Sequence, residues 1–290
     1  MIEAYFTHLL ILICIYLTLA ISLQLSMGFT GLFNLGHIAF YAIGAYASAL
    51  AALAGWPFLA AFAAAGATAA IAGWILSLPT ARLKGDYLAL ATLGFFFVVN
   101  AVALNWNDVT KGALGLPGIP KPEIMGVSFA DNTAFLGLAA LTAAACFLAV
   151  RRIAKTPFGN VLQAVRDDEL AARSLGKDAT KAKATALCAS ALFAGLAGSL
   201  YAHYITFIDP FTFNIGELIT VLAMVIIGGL ASLEGTVLAV VVLVLLPEPL
   251  RFIGMPSSIV GPARQAIYAA ILLLILARRP RGFGGRVEAQ

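Results

Sequence analysis

Charge is what this sequence has least of. Asp, Glu, Lys and Arg make up 11% of its 290 residues, while 61% are hydrophobic and the mean hydropathy is +0.96. Soluble domains carry about 25% charged residues, so a water-soluble globule is excluded. Cysteine is scarce too. Cys14, Cys146 and Cys188 all lie in apolar runs with no CxxC spacing, which leaves no zinc site or disulfide framework to expect. GxxxxGK[ST] does not occur, so by that test the chain carries no ATP engine of its own. HExxH and GxSxG are missing as well. An intramembrane enzyme would need ionisable groups converging in the bilayer, and Asp86, Glu217, Glu234 and His37 are few and scattered. Before the first apolar run there is Glu3 but no Lys or Arg, and no small-x-small cleavage site follows. That run is expected to be a retained helix, not a signal peptide. A net charge of +4 in such a chain reports cytoplasmic loops, with no nucleic-acid partner implied.

What the sequence does have is long apolar runs. Leu9–Ser26, Leu35–Ala54, Pro57–Leu78, Tyr87–Leu104, Thr133–Val150 and Ala184–Tyr204 are long enough to span a bilayer. Ile215–Gly228 and Leu233–Leu246 are shorter runs parted by glycines, either of which could be re-entrant, and Pro262–Ala277 is the last. The expectation is an all-α integral membrane protein in one domain, residues 1–290, with about nine crossings (8–10 transmembrane helices, some broken or re-entrant). Eight Lys or Arg lie in residues 151–184, and Arg278, Arg279, Arg281 and Arg286 lie in the tail 278–290. Both segments should therefore face the cytoplasm, with Arg82 and Lys84 on the same side. The polar stretch 105–132, rich in Gly and Pro, then falls outside, where Trp106 suits an interface anchor or a docking contact.

The segment "FGNVLQAVRDDELAARSLGKDATKAKA" (158–184) gathers charge that the rest of the chain avoids. Thr156-Pro157 reads as an N-cap with Pro at the first helical position, and Gly176 reads as a left-handed stop. Phe158, Val161, Leu162, Val165, Ala172 and Leu175 recur at helical spacing, so one amphipathic helix is expected over 158–175. Asp178 or Thr180 caps the next helix. An ordinary basic loop would explain the Lys and Arg, but not Asp167-Asp168-Glu169, the stripe or the caps.

Glycines cluster in "SMGFTGLFNLGH" and "IGGLASLEG", which align as Gly-Leu-x-Asn/Ser-Leu at 31–35 and 229–233. Paired breaks of this kind suit an inverted-repeat transporter whose broken helices offer N–H groups to a substrate carboxylate; close helix packing is the plainer alternative. His37 is expected to be a packed, hydrogen-bonded residue more than a proton relay. Ala191, Gly195 and Ser199 form a small-residue packing face.

"FGNVLQAVRDDELAARSLG" resembles the cytoplasmic coupling loop of ABC-importer permeases, in which a Glu-Ala-Ala…Gly pattern sits on a short helix. Glu169, Ala171, Ala172 and Gly176 match it, with Leu170 as an extra residue. Together with "GFTGLFNLGHIAFYAIGAYASA", "LKGDYLALATLGF", "AGLAGSLYAHYITFIDPFTF" and "IGGLASLEGTVLAVVVLVLLPEPLR", the chain is similar to LivM-type permease subunits of branched-chain amino-acid importers. The outside segment departs from the family's usual Thr-Gly-Gly-x-Asn-Gly at Lys111, Ala113 and Leu114.

The resemblance implies a type II-like ABC importer permease of the bacterial inner membrane with its C-terminus in the cytoplasm. By the same resemblance it would be no enzyme itself and would hold no cofactor; ATP and Mg would sit on partner subunits. The implied partners are a second homologous permease, two cytoplasmic ABC ATPases, a periplasmic substrate-binding protein and lipid. Leucine, isoleucine or valine would be the cargo, with urea, short amides or aromatic acids as sibling alternatives and a stand-alone secondary transporter as the rival. The implied coupling loop is 151–184, with Phe158, Gly159, Arg166, Asp168, Glu169, Ala171, Ala172 and Gly176 as ATPase-coupling residues. Gly31, Asn34, Gly36, His37, Tyr41, Thr92, Glu217, Gly228, Gly229 and Ser232 are the substrate-pathway candidates. Trp106, Thr110 and Gly112 are the binding-protein docking candidates.

Overall fold

The computed structural model describes residues 2–80, 83, 85–124, 126–246, 248, 266, 270 and 284. The expected last span at Pro262–Ala277, the basic tail 278–290, Arg82 and Lys84 lie outside that set or, as at residues 266, 270 and 284, are touched by it singly. The described chain is helical, as the apolar runs demand: hydrocarbon offers no partner for a backbone N–H or C=O, so each run must satisfy its own.

The first helix, α1 (Ile2–Leu23), continues through a π-helical turn (Gln24–Phe29). Residues 30–36 are not helical, and α2 (His37–Leu53) starts after them. Next come α3 (Phe58–Thr80), α4 (Gly85–Asn105) and α5 (Asn107–Thr110). The long loop carries two-residue strands β1 (Leu116–Pro117), β2 (Glu123–Ile124) and β3 (Val127–Ser128). Beyond it lie α6 (Asn132–Ala154), α7 (Pro157–Asp167), α8 (Glu169–Ser174) and α9 (Ala179–Ile205). A strand β4 (Phe207–Ile208) precedes α10 (Ile215–Gly228) and α11 (Leu233–Leu245).

Among the described residues, five helices are long and apolar enough to cross a membrane, and α2, α10 and α11 are shorter apolar helices. At 14 and 13 residues, α10 and α11 reach only about 20 Å each, short of a hydrocarbon core of roughly 30 Å. They nevertheless form a hairpin along α1. Glu217 in α10 meets Tyr16, the 229–232 turn meets Gln24, and Glu248 beyond α11 meets Tyr5. The hairpin thus descends toward the end of the bundle that bears α7 and turns back toward the far end.

The core is built around α9, which packs on α2 and α3. Small residues let the backbones close. A Cβ at Gly195 would lie 2.5 Å from the Ala65 carbonyl, and one at Gly73 would lie 2.7 Å from Ala191 Cβ. The Ala191, Gly195, Ser199 face therefore works as the spacing suggests, with Ser199 Oγ 2.6 Å from Ser48 Oγ of α2. The loop between α4 and α6 is pinned to the far end of α9. Leu116 pairs with Ile208 and Pro117 with Phe207, and His203 Nδ1 donates to the Pro120 carbonyl at 2.7 Å.

Candidate coupling and pathway site

The charged segment folds as two helices, not one. Thr156 caps α7, its Oγ1 accepting from Gly159 N at 3.3 Å, with Pro157 at the first helical position. The helix then breaks at Asp168, whose backbone is extended and whose carboxylate accepts from Leu170 N at 2.9 Å and Ala171 N at 3.0 Å. Capping a new helix start competes with continuing the old one, and an acidic residue favours the cap. Gly176 stops α8 at φ +75° in a full Schellman arrangement: Lys177 N donates to Ala172 O and Gly176 N to Arg173 O. Asp178, not Thr180, caps α9. The Lys181 backbone N–H holds the Asp178 carboxyl below its ordinary range, so the cap stays ionised at neutral pH and is lost only as pH falls.

The break redistributes the stripe. Leu162, Val165 and Ala172 are buried against Ile21, Phe29, Cys146, Ala231 and Leu233, with Phe158 and Val161 packed on the same cluster. Leu175 is 78% exposed and so does not belong to the buried face; Leu170 is 70% exposed beside it. Gly159 is buried, because a Cβ there would reach the Ile153 and Ala154 carbonyls. Glu169 turns inward. Its carboxylate takes Arg173 Nη2 at 2.7 Å and Lys183 Nζ at 2.8 Å, with the Glu169 and Lys183 side chains only 10% and 9% exposed. Asp168 caps, and Ala171 is exposed with Arg173, Ser174 and Gly176. The outward face of α8 is therefore Leu170, Ala171, Arg173 and Leu175, of which the sequence pattern had singled out Ala171 as a site residue.

Arg166 joins this segment to the core. Its Nη1 donates to the Gly28 carbonyl at 2.9 Å while Nε holds Asp167 at 2.8 Å. Gly31, at φ +72°, leaves room for it: a Cβ there would lie 2.8 Å from Arg166 Cγ.

The ten pathway candidates do not surround one cavity. Asn34, Gly36 and Thr92 meet at the first break: Gly36 N donates to Asn34 Oδ1 and Leu35 N to Thr92 Oγ1, both at 3.0 Å. Asn34 Nδ2 has no protein partner among the described residues, and the cavity lined by Asn34, Ser77, Thr80, Thr92 and Lys183 is about 10 Å³, room for one water. His37 is packed as expected, its Nε2 2.8 Å from Ser22 Oγ and 3.2 Å from the Leu19 carbonyl. Gly228, Gly229 and Ser232 form the second break, where Ser232 caps α11 through Gly235 N at 3.1 Å. Gly31 and Gly229, matched in the sequence alignment, both have positive φ. Tyr41 and Glu217 stand apart toward the far end, Tyr41 with Tyr201 and Phe213, and Glu217 with Tyr16 at 2.9 Å. Of the loop candidates, Trp106 is 54% exposed. Thr110 and Gly112 are buried and serve the turn: Thr110 Oγ1 donates to Ala103 O at 2.7 Å and accepts from Gly112 N at 3.3 Å.

Sequence reasoning missed Gln24. It is fully buried in the π-helical turn and binds the whole second break. The signal was available: a lone amide in an apolar run must find a partner.

Two glycine breaks flanked by a capped, polar surface segment, in a bundle of apolar helices, have a counterpart among known proteins. The family described as the permease component of the branched-chain amino acid transport system matches residues 5–276. The chain belongs to that family. This permease is 35% identical to the high-affinity branched-chain amino acid transport permease protein LivM of Salmonella typhimurium over 292 residues, which covers 92% of the chain and 67% of that relative. Identity to LivM of Escherichia coli is the same over the same shares. A probable LivM of Methanocaldococcus jannaschii is 27% identical over 220 residues, covering 72% of this permease and 62% of the relative. No solved structure matches it.

Proposed function

We propose that this permease component is the membrane subunit of an ATP-driven, binding-protein-dependent importer of branched-chain amino acids. Its relatives are named for that cargo, and leucine, isoleucine and valine are the substrates to test. The reading places it in a bacterial inner membrane, the α7–α8 segment and the C-terminus in the cytoplasm. A second permease completes the pathway, two ATPases holding ATP and Mg dock below, and a binding protein docks on the loop face around Trp106.

One observation carries the reading. The α7–α8 segment is capped at Thr156, Asp168 and Asp178, stopped at Gly176, and presents two bare leucines on its outer face. A solvent-facing loop gains nothing from exposing Leu170 and Leu175, whereas a groove on a partner would bury about 1.5–3 kcal/mol with each. The pathway candidates and Trp106 belong to this proposal as residues whose substitution would change transport.

Leu170→Asp with Leu175→Asp is the test. Neither side chain packs inside the protein, so the variant should insert and fold as the native chain does. Its co-purifying ATP-binding chains should be lost and uptake of leucine should fall to background. Native stoichiometry of those chains with native uptake would overturn the docking assignment. Uptake competed by urea, short amides or aromatic acids, and not by leucine, would overturn the cargo.

A further inference from the structure

The observations that reach furthest concern Gln24. At this residue α1 changes from α- to π-helical winding, a departure that commonly marks a functional position. The extra width turns a fully buried amide toward the α10–α11 turn, more than two hundred residues away in sequence. Gln24 Nε2 donates to the Gly229 carbonyl at 2.7 Å and to Thr236 Oγ1 at 2.8 Å, with the Ser232 carbonyl at 3.3 Å. Its Oε1 accepts from Ala231 N at 3.1 Å. One side chain therefore holds both backbone ends of the turn and the first turn of α11. Ala231, held this way, has φ +61°, a left-handed conformation that costs a non-glycine residue about 1–2 kcal/mol and persists only where its surroundings impose it.

The same π-helical turn is gripped from below. Gly28 follows Gln24 by one turn; a Cβ there would lie 2.7 Å from Ala231 N, so glycine lets the two breaks touch. The Gly28 carbonyl takes Arg166 Nη1 of α7. Phe29 and Ala231 also share the apolar cluster that holds Leu162 and Val165. A continuous path thus runs from Arg166 through Gly28 and Gln24 to Gly229, Ala231 and Thr236, with hydrogen bonds at both ends and backbone between.

We propose that Gln24 is the positioning residue that fastens the α10–α11 turn to the π-helical turn gripped by Arg166 of α7, so that motion of the α7–α8 segment reaches the second glycine break through this buried amide as well as through the apolar cluster. The inference rests on the importer reading above, in which a partner moves that segment. A preformed linkage of this kind transmits displacement because packed interiors resist compression, and losing it lets the two bodies slip. Gln24 touches no substrate in this scheme; it sets where the turn sits.

The experiment uses the complete importer reconstituted in vesicles and reads leucine taken up per ATP hydrolysed. Gln24→Leu fills the volume but removes every hydrogen bond. Hydrolysis stimulated by the binding protein is expected to continue, while uptake per ATP falls at least tenfold. Thr236→Val, which removes one of the partners, should lower the ratio by two- to fivefold, and Thr236→Ser, which restores the hydroxyl, should return it to the native value. Should Gln24→Leu fail to assemble, the Thr236 pair decides. A native ratio in Gln24→Leu, or in Thr236→Val, overturns the linkage. An equal loss of hydrolysis and uptake in the assembled variants, leaving the ratio unchanged, also overturns it. A native chain that binds no ATPase would instead overturn the importer reading, and that is seen before any variant is made.

Discussion

Glu169→Gln is expected to cost the α8 segment about 3–5 kcal/mol, because it leaves the Lys183 ammonium nearly buried with no counter-charge. The amide can still accept a hydrogen bond, so the loss is one of charge more than of contact. Arg173, half exposed, can turn to water; Lys183 cannot without unpacking the start of α9. Amide exchange in residues 168–178 should rise by roughly two to three and a half orders of magnitude, at about 1.4 kcal/mol for each tenfold, while exchange in α2 and α3 stays as it was. Uptake should fall with it. Adding Lys183→Met removes the orphaned charge, and the double variant should regain most of the protection, since a buried pair replaced as a pair is often neutral. Exchange unchanged in the single variant, or no recovery in the double, would show that the pair does not hold the segment.

Gly198→Ala should be strongly damaging where α9 meets α2. Its Cβ would overlap the Tyr41 carbonyl and crowd Ala45 N at 2.8 Å, both backbone atoms of α2 that no rotamer change can move. Gly44→Ala should behave alike, because its Cβ would overlap the Gly195 backbone. Overpacking of this kind costs about 1–3 kcal/mol, and more where helices must separate along their length. Gly94→Ala in α4 and Gly137→Ala in α6 are the controls, since nothing lies within 4 Å of an added Cβ there. Alanine is the better helix former by about 1 kcal/mol, so those two should be neutral or stabilising. Thermal midpoints of the purified chain in detergent check all four. Equal midpoints across the set would mean that α2 and α9 can spread at no cost, contrary to their packing.

The α7–α8 segment separates what is local from what is not. A cap is a contact between residues two or three apart, so Thr156-Pro157 and Gly176 were legible as letters, and Asp178 as one of two candidates beside Thr180. Membrane class was legible for a similar reason: an apolar run of sufficient length has few other fates. So was the small-residue face of α9, whose spacing repeats every four residues. By itself the sequence thus determined a helical membrane protein with a capped surface segment, and its motifs were enough to resemble the family that residues 5–276 match.

Tertiary structure decided the rest. Nothing in the spacing of Phe158 to Leu175 says that Asp168 will cap a second helix instead of riding the first, because both fates satisfy the local pattern and the packing of Leu162, Val165 and Ala172 chooses. That choice turns Glu169 inward to Lys183 and leaves Leu175, which the spacing had put on the apolar stripe, outside beside Leu170. Gln24 and Ala231 meet only because α1 and the α10–α11 hairpin lie side by side. A hydrogen bond spanning two hundred residues leaves no period in the chain; the sequence carries only its two ends, an amide where apolar residues belong and a glycine-rich turn, and the fold brings them together.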